Sequence, residues 1–184
     1  MQFQIDQVDR LTSLVRTLLE MSNLQSVSRS DEIELAPLID EVLTDLTTLA
    51  EQKNITLHQN CEDVHMIGSD TLIYRLLFNL IENAIKYNHS GGGVTVSMQQ
   101  ENQQVLLHIA DTGCGIPEKY RESIFQPFFR VDKSRSRQMG GVGLGLALVR
   151  EIAVLHGGSV YVESASKDGT TFAVKLQLNG EKTE

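Results

Sequence analysis

The amino-acid sequence predicts an α+β fold, a two-layer sandwich in which helices pack on one face of a mixed, mostly antiparallel sheet. The first observation is apolar periodicity with helical spacing in four separate segments. The second is the presence of two pairs of alternating, strand-like segments joined by short polar turns, which is the pattern of antiparallel hairpins. An N-terminal helix is expected to precede this compact unit.

The first 25 residues are predicted to be helical because their apolar side chains recur at spacings of three and four. The residues of this seam are Val8, Leu11, Val15 and Leu18. Such a seam suits a bundle or coiled coil, so we interpret residues 1–27 as half of an interhelical interface; the alternative is a helix that packs on its own domain. Residues 28–32 are polar and predicted to be a linker, and residues 33–180 are predicted to form one domain.

In the compact unit a helix is predicted first, beginning near Pro37, since proline suits the first turn of a helix. Two short strand candidates follow, in the segments "NITLHQN" (54–60) and "VHMIG" (64–68). Ser69 can then cap a third helix, which contains the segment "NLIENAIKYN" (79–88).

The second half of the unit contains both predicted hairpins. The first is formed by "GGVTVSMQQ" and "QQVLLHIAD" and turns at Glu101–Asn102. The helix "LGLALVREIAVLH" ends at Gly157–Gly158, and the second hairpin turns at Asp168–Gly169. His156 lies at the C-terminus of that helix, where a partial positive charge is expected to be favourable.

The composition limits the classes of function that fit this chain. It has 184 residues, of which 41% are hydrophobic, enough for one good core and a smaller appendage. The formal net charge of -8 argues against nucleic acid as a partner, so an anionic ligand would need a local site. Two cysteines without metal-ligand spacing, no apolar run of about 20 residues and no signal peptide lead us to expect a reducing, cytoplasmic location.

Polar residues share one stripe of the predicted third helix, opposite its apolar face, at about 100° per residue. They are Asn79, Glu82, Asn83 and Lys86. One interpretation is a solvated helix face. The other is an oxygen-rich surface for a hard cation such as Mg²⁺, with Lys86 supplying a positive charge for a phosphate.

Two glycine-containing segments favour the ligand interpretation. The segment "DTGCGIP" (111–117) follows a strand directly, and its Asp111 can accept a hydrogen bond from an exocyclic amine. Its glycines allow a sharp turn beside a flat ring, although a plain glycine turn is the alternative. The segment "GGVGLGLALV" (140–149) runs into a helix N-terminus, which presents free N–H groups to phosphate. Its spacing fits neither a Walker P-loop nor a Rossmann fingerprint.

The phenylalanine-rich segment "IFQPFFR" (124–130) is apolar and would be unusual as an exposed loop. Phe125 and Phe128 are interpreted either as core residues or as a latch onto the core or a partner helix. Residues 130–141 are predicted to be mobile without a ligand, because glycines and scattered basic residues bury little apolar surface.

Five segments occur in order along the chain: "NLIENAIKYN", "DTGCGIP", "IFQPFFR", "GGVGLGLALV" and "DGTTF". They resemble the N, G1, F, G2 and G3 boxes of the catalytic and ATP-binding domain of sensor histidine kinases. The resemblance covers residues 33–180 and implies a Bergerat-type ATP-binding fold, shared with gyrase, the mismatch-repair ATPases and a heat-shock chaperone. Residues 1–27 resemble the end of the second helix of the kinase dimerisation hairpin.

The resemblance implies ATP or ADP and Mg²⁺ as ligands and assigns residues to them. Asn83 would ligate Mg²⁺ with Asn79 beside it, and Lys86 would contact phosphate. Asp111 would accept the adenine amine, supported by Thr170. Further nucleotide contacts are implied for Tyr87, Gly113, Gly115, Ile116, Arg130, Gly141, Gly143, Leu144, Gly145 and Leu146.

Two features bear on the expected reaction. Gyrase-type ATPases are expected to hold a glutamate where Asn79 stands, so asparagine favours phosphoryl transfer to a protein over hydrolysis. In kinases of this type the phospho-accepting histidine is expected to be followed by an acidic residue, and none of the five histidines here is. The catalytic acceptor is therefore unknown, and the chain is expected to be a fragment.

The partners implied by the resemblance are the dimerisation helices of a homodimeric, membrane-anchored parent kinase and the receiver domain of a response regulator. Two alternatives remain open at this level. One is an ATP-driven conformational machine of the gyrase type, and the other is a degenerate kinase domain used only for protein contacts.

Overall fold

The computed structural model describes residues 2–131 and 143–179, with side chains described from residue 11 onward except at residue 13. The predicted α+β sandwich is confirmed: helices cover one face of a mixed sheet, and an N-terminal helix precedes them. The mobile segment predicted from the sequence (130–141) lies almost entirely outside the described residues.

Seven strands are present in the described part of the chain. They are β1 (Asp31–Glu34), β2 (Thr56–Cys61), β3 (His65–Gly68), β4 (Gly93–Glu101), β5 (Gln104–Asp111), β6 (Ser159–Ser166) and β7 (Gly169–Gln177). Five of them form the main sheet, in the order β2-β4-β5-β7-β6, and β1 pairs with β3 in a small second sheet. β2 runs parallel to β4 and the other neighbours are antiparallel, so the sheet is mixed and mostly antiparallel.

Four α-helices complete the described fold. They are α1 (Gln2–Asn23), α2 (Leu35–Gln52), α3 (Asp70–Lys86) and α4 (Gly145–Leu155). Both predicted hairpins are confirmed, β4–β5 and β6–β7. Asn102, in the first hairpin turn, has a φ of 57°, a left-handed conformation that asparagine tolerates better than most residues.

The core lies between the sheet and the helices α2, α3 and α4. Alternate residues of β4 and β5 point into it, among them Val96 and Ile109, which are fully buried. In α3, eight of 17 residues are buried, and they recur at helical spacing. Because this apolar face is held in the core, the opposite, polar stripe of α3 has a fixed position at the surface.

β1 begins inside the segment that was predicted to be a linker. Asp31 and Glu32 pair with residues of β3, and Ile33 is only 2% exposed. A strand of four residues with a single buried side chain shows too little alternation to be recognised from sequence. The division into a dimerisation helix (1–27), a linker (28–32) and a catalytic domain (33–180) stays a prediction.

α1 is tied to the rest of the structure by an ion pair. The Arg75 guanidinium in α3 donates to the Glu20 carboxylate at 2.9 Å. Leu11, Val15 and Leu19 of α1 are exposed and line, together with residues of α3 and α4, a groove of about 680 Å³. No helix in the described ranges is long and apolar enough to cross a membrane.

His156 joins the end of α4 to the beginning of α3. Its Nε2 accepts a hydrogen bond from the Ser69 N–H at 3.0 Å, and its Nδ1 lies 2.8 Å from the Ile152 carbonyl oxygen, to which it donates. Burial lowers the pKa of the imidazole below its ordinary value of 6.5; the bond to Ile152 opposes this shift and the charge of Arg29 adds to it. The expectation of a positive charge at this helix end is therefore wrong, because the ring is 5% exposed and accepts a backbone N–H.

We expect the free energy of unfolding to fall below about pH 6.5 because of His156. The imidazole of the unfolded chain binds a proton below its ordinary pKa, whereas the folded ring resists protonation until its lower pKa is reached. The stability contributed by the neutral ring is thus complete above pH 6.5 and is lost as the pH falls. Urea unfolding of the wild type and of His156→Gln across this range measures the difference.

His58→Gln is the matched control, because His58 is exposed on β2. The wild type and the His58 variant should lose stability together as the pH falls, and the His156 variant should lose much less. A decline of equal size in all three proteins would contradict the assignment to His156.

Candidate functional site

The two asparagines of α3 have different environments. Asn79 Nδ2 donates to the Arg75 carbonyl at 2.8 Å, and its Oδ1 lies against Gly145, the first residue of α4. The half-buried side-chain amide of Asn83, one turn later, hydrogen-bonds to no residue within the described ranges. Asn83 therefore has an amide oxygen available to a ligand, whereas the Asn79 side chain forms part of the contact between α3 and α4.

The contact between Asn79 and Gly145 depends on the absence of a side chain at residue 145. A Cβ added to Gly145 would lie 2.6 Å from Asn79 Oδ1, well inside van der Waals contact. A glycine at this position lets the start of α4 approach the polar stripe of α3. The N box and the G2 box are thus adjacent in space.

Positive charge is concentrated at the C-terminal end of α3. Lys86 Nζ lies 2.7 Å from Glu82 Oε1, one turn earlier in the same helix. The Lys86 carbonyl accepts a hydrogen bond from the Lys53 ammonium at 2.7 Å. Cations are favourable at a helix C-terminus, where carbonyl groups lack intrahelical partners. An anionic ligand beside Asn83 would therefore meet an ammonium group on the same stripe.

Asp111, the last residue of β5, uses its two carboxylate oxygens differently. Oδ1 accepts the N–H of Gly113 at 2.7 Å and the N–H of Thr170 at 3.3 Å. Oδ2 accepts no hydrogen bond from the part of the chain that the structure describes. Burial raises the pKa of the carboxyl group, and the two N–H donors and His89 oppose the rise. The second oxygen can therefore accept a hydrogen bond from a ligand.

The loop after β5 is held against α3 on one side and β6 on the other. The Cys114 N–H donates to the Tyr87 carbonyl at 3.2 Å. Gly115 has a φ of 69°, and an added Cβ there would lie 1.6 Å from the Ser166 carbonyl oxygen. Glycine at this position therefore makes room for the protein's own backbone, whatever it also does for a ligand. Ile116, the next residue, packs partly buried against the core.

No side chain within the described ranges caps the N-terminus of α4. Leu144 occupies the N-cap position and is buried, and Leu146 packs partly buried against the core. The Gly143 carbonyl accepts the Phe128 N–H at 2.8 Å, which joins the F box to the G2 box. An uncapped helix N-terminus presents N–H groups and a positive dipole end, both suited to an anion. Gly141 lies outside the described residues.

The two phenylalanines of the F box have different roles. Phe125 is buried, and its ring meets Phe172 edge-on with centroids 6.2 Å apart, so it belongs to the core. Phe128 is 55% exposed and has a φ of 64°, so it does not. Arg130 is partly buried near Tyr87, where its charge opposes the increase that partial burial causes in the pKa of the phenol.

A polar contact between the end of α3 and the G1 box was missed by the sequence interpretation. Thr112 Oγ1 donates to Asn88 Oδ1 at 3.2 Å and accepts the Gly93 N–H at 2.9 Å. Asn88 Nδ2 donates to the Gly93 carbonyl at 2.9 Å. Asparagine after a helix and threonine after a strand are both common turn residues, but their sequence separation gave no sign that they pair.

The five segments singled out in the sequence therefore meet at one edge of the sandwich. The contacts that join them are Asn79 with Gly145, Tyr87 with Cys114, Asp111 with Thr170, and Phe128 with Gly143. Together they assemble an amide oxygen, an ammonium group, a helix N-terminus and a carboxylate oxygen. Such a set can bind a polyphosphate with a hard cation at one end and an amine-bearing base at the other.

Comparison with known families supports this interpretation of the site. A family model described as "Histidine kinase-, DNA gyrase B-, and HSP90-like ATPase" matches residues 68–180. The chain is 36% identical over 175 residues to the sensor histidine kinase RppB of Synechocystis sp., an alignment that covers 92% of this chain and 38% of RppB. The chain spans less than half of the length of the curated relatives it matches.

Solved structures of histidine kinases are also similar to this chain. The catalytic domain of histidine kinase ThkA superposes with a TM-score of 0.74 at 28% identity, covering 84% of this chain and 99% of that one. Histidine kinase ThkA in complex with the response regulator protein TrrA superposes with a TM-score of 0.77 at 27% identity, covering 97% of this chain and 50% of that one.

We expect Gly115→Ala to lower the free energy of unfolding by about 2–4 kcal/mol, because a left-handed conformation and a backbone clash act together. Gly91→Ala is the control: Gly91 has a φ of 83°, but an added Cβ would meet only the Asn54 side chain at 3.9 Å. That variant should lose only about 1–2 kcal/mol, the cost of the left-handed conformation. Urea unfolding measures both, and equal losses would contradict a close approach of Gly115 to β6.

Proposed function

Given that the chain belongs to the family of histidine kinase-, DNA gyrase B- and HSP90-like ATPases, as the catalytic domain of a sensor histidine kinase, we propose that it binds ATP with Mg²⁺. It would transfer the γ-phosphoryl group of this ATP to a histidine on a dimerisation helix of its parent protein. The phosphoryl group would then pass to a response regulator. The acceptor histidine is not assigned to any residue of this chain.

The observation that carries this proposal is the state of Asp111. One carboxylate oxygen is occupied by two backbone N–H groups, and no described residue donates to the other. Asp111 is only partly buried, so its second oxygen is accessible, and a ligand that covers this oxygen must supply a donor or leave a costly unmatched acceptor. The exocyclic amine of adenine is such a donor, and guanine has an acceptor at the corresponding ring position.

The residues present fit a Mg²⁺ ion at the polyphosphate end of the site. Within the described ranges, no group of three or more His, Cys, Asp or Glu side chains could hold a metal ion. Mg²⁺ needs no such group when phosphate oxygens and water supply most of its ligands, and one amide oxygen then suffices. Asn83 would provide it, with Asn79 beside it. When bound, the ion would neutralise charge on the transferring phosphoryl group.

The chain's own groups would perform the remaining tasks. Lys86 and the N-terminus of α4 would bind phosphate, since the first carries a positive charge and the second presents N–H groups that no described side chain caps. The exposed face of Tyr87 would lie beside the base, and Arg130 would face phosphate from the F box. Catalysis would then consist of positioning and charge neutralisation, as in other phosphoryl transfers.

We propose further contacts with the nucleotide for Gly113, Gly115, Ile116, Thr170 and the G2 residues Gly141, Gly143, Leu144, Gly145 and Leu146. Asn79 occupies the position at which a hydrolytic relative would hold a glutamate, so transfer to a protein acceptor is favoured over hydrolysis. We further propose that the parent protein is a membrane-anchored homodimer, that α1 is the end of its second dimerisation helix, and that this domain lies in the cytoplasm.

We expect ATP and ADP to bind and GTP to bind at least tenfold more weakly, because an unmatched acceptor is left in the site. Asp111→Asn should weaken ATP binding by about 1–3 kcal/mol. Its Oδ1 can keep both backbone bonds while an NH₂ group replaces the free oxygen, so the preference for ATP over GTP should shrink as well. Titration calorimetry with both nucleotides measures this, and equal affinity of the wild type for ATP and GTP would refute the adenine assignment.

Asn83→Ala should remove the part of the ATP affinity that depends on Mg²⁺, by about tenfold or more, since even indirect supports of metal ligands contribute that much. The free energy of unfolding should change by less than about 0.5 kcal/mol, because the amide bonds to no described residue. Asn60→Ala, at an exposed position on β2, is the control and should leave both quantities unchanged. Normal Mg²⁺-dependent binding by the Asn83 variant would refute its role as a ligand.

A further inference from the structure

We propose that Glu82 makes the site selective for metal-loaded nucleotide, by placing a negative charge beside the groups that bind phosphate. The inference rests on the proposed function and adds a specificity-determining residue to it. Glu82 has no assigned role in binding or catalysis, and a solvated helix face was one of the two interpretations of its stripe in the sequence analysis.

The position of the Glu82 carboxylate is well defined. Its Oε1 lies 2.7 Å from Lys86 Nζ, and the two side chains are 27% and 26% exposed. Glu82 directly precedes Asn83 on the same stripe of α3, whose apolar face is held in the core. The carboxylate is therefore close to both the ammonium group and the amide that are assigned to the polyphosphate.

The pair has little effect on the stability of α3. A partly exposed ion pair between residues four apart in a helix contributes little to the stability of the folded state. α3 already buries eight residues and has its N-terminus capped by the Ser69 side chain. Glu82 therefore contributes little to the stability of the helix, and its charge mainly affects the affinity for a ligand that binds next to Lys86.

That consequence depends on the charge of the ligand. ATP without a metal ion carries more negative charge than ATP with Mg²⁺, because the ion cancels two of the charges. A carboxylate beside the phosphates repels each remaining charge, so its penalty is larger for the metal-free nucleotide. Near a protein surface, one such interaction changes a binding constant by roughly threefold to tenfold.

In the absence of ligand Glu82 also forms an ion pair with Lys86, so a phosphate must compete with the carboxylate for the ammonium group. A nucleotide that brings its own cation can approach this pair without separating it, since Mg²⁺ offsets the carboxylate charge. Metal-free nucleotide has no such compensation. Both effects act in the same direction and favour ATP with Mg²⁺ over ATP alone.

The experiment is titration calorimetry of the wild type and Glu82→Gln with ATP, once with Mg²⁺ and once with EDTA. In the variant, affinity for metal-free ATP should rise by roughly threefold to tenfold, and affinity for ATP with Mg²⁺ should rise by a smaller factor. The ratio of the two affinities should therefore fall. Added salt should reduce the difference, because the carboxylate is partly exposed.

Two further variants separate charge from positioning. Glu51→Gln, at an exposed position of α2, should leave the ratio unchanged. In a Lys86→Met background, which weakens binding of both forms, Glu82→Gln should still raise the affinity for metal-free ATP. An unchanged ratio, or a loss of affinity by the same factor for both forms, would overturn the inference alone. A wild-type chain that binds ATP under neither condition would overturn the proposed function and this inference with it.

Discussion

One carboxylate oxygen, Asp111 Oδ1, joins the parts of the chain from which the site is built. It accepts one N–H from the loop that follows β5 and another from β7, the neighbouring strand. Burial alone would favour the protonated acid, and these two donors favour the charged form instead. The loop is thereby held in a position from which Cys114 reaches α3 and Gly115 reaches β6. This pair of hydrogen bonds therefore connects the loop to the second hairpin, and the contact of Cys114 with Tyr87 connects it to the end of α3.

Glycines in the motifs serve the protein's own packing before they serve a ligand. The sequence suggested that the G1 glycines make room for a flat ring, yet Gly115 stands against the Ser166 carbonyl, and Gly145 of the G2 box stands against Asn79. Close approach between backbone segments therefore explains these positions without reference to nucleotide. It also explains why separate glycine motifs converge, because each one allows two elements of the fold to touch.

Elements with strong periodicity were predictable from sequence, and contacts between distant residues were not. The helices α2, α3 and α4 and both hairpins carry long apolar repeats or clear turns, which depend only on local spacing. β1 has a single buried residue and its partner is β3, more than 30 residues away, so no local signal exists. His156 was misjudged for the same reason: its burial depends on Ser69 and Gly68, which only the folded chain brings to it. The site residues could be proposed from the sequence because five motifs, each weak alone, occurred together.

Helices α3 and α4 contact each other at the site, and their N-termini differ in whether side chains accept the backbone N–H groups. At the start of α3 side chains of the protein accept backbone N–H groups: the Ser69 hydroxyl accepts from Leu72, His156 accepts from Ser69, and Asp31 accepts from Asp70. The start of α4 lies at the proposed site, and no side chain in the described part of the chain caps it. Since unsatisfied N–H groups destabilise a helix end, an anion bound at the N-terminus of α4 would stabilise that end, whereas the N-terminus of α3 needs none. His156 follows the last residue of α4 and accepts a hydrogen bond from Ser69, so the helix that would bind phosphate is anchored at its C-terminal end to the capped start of α3.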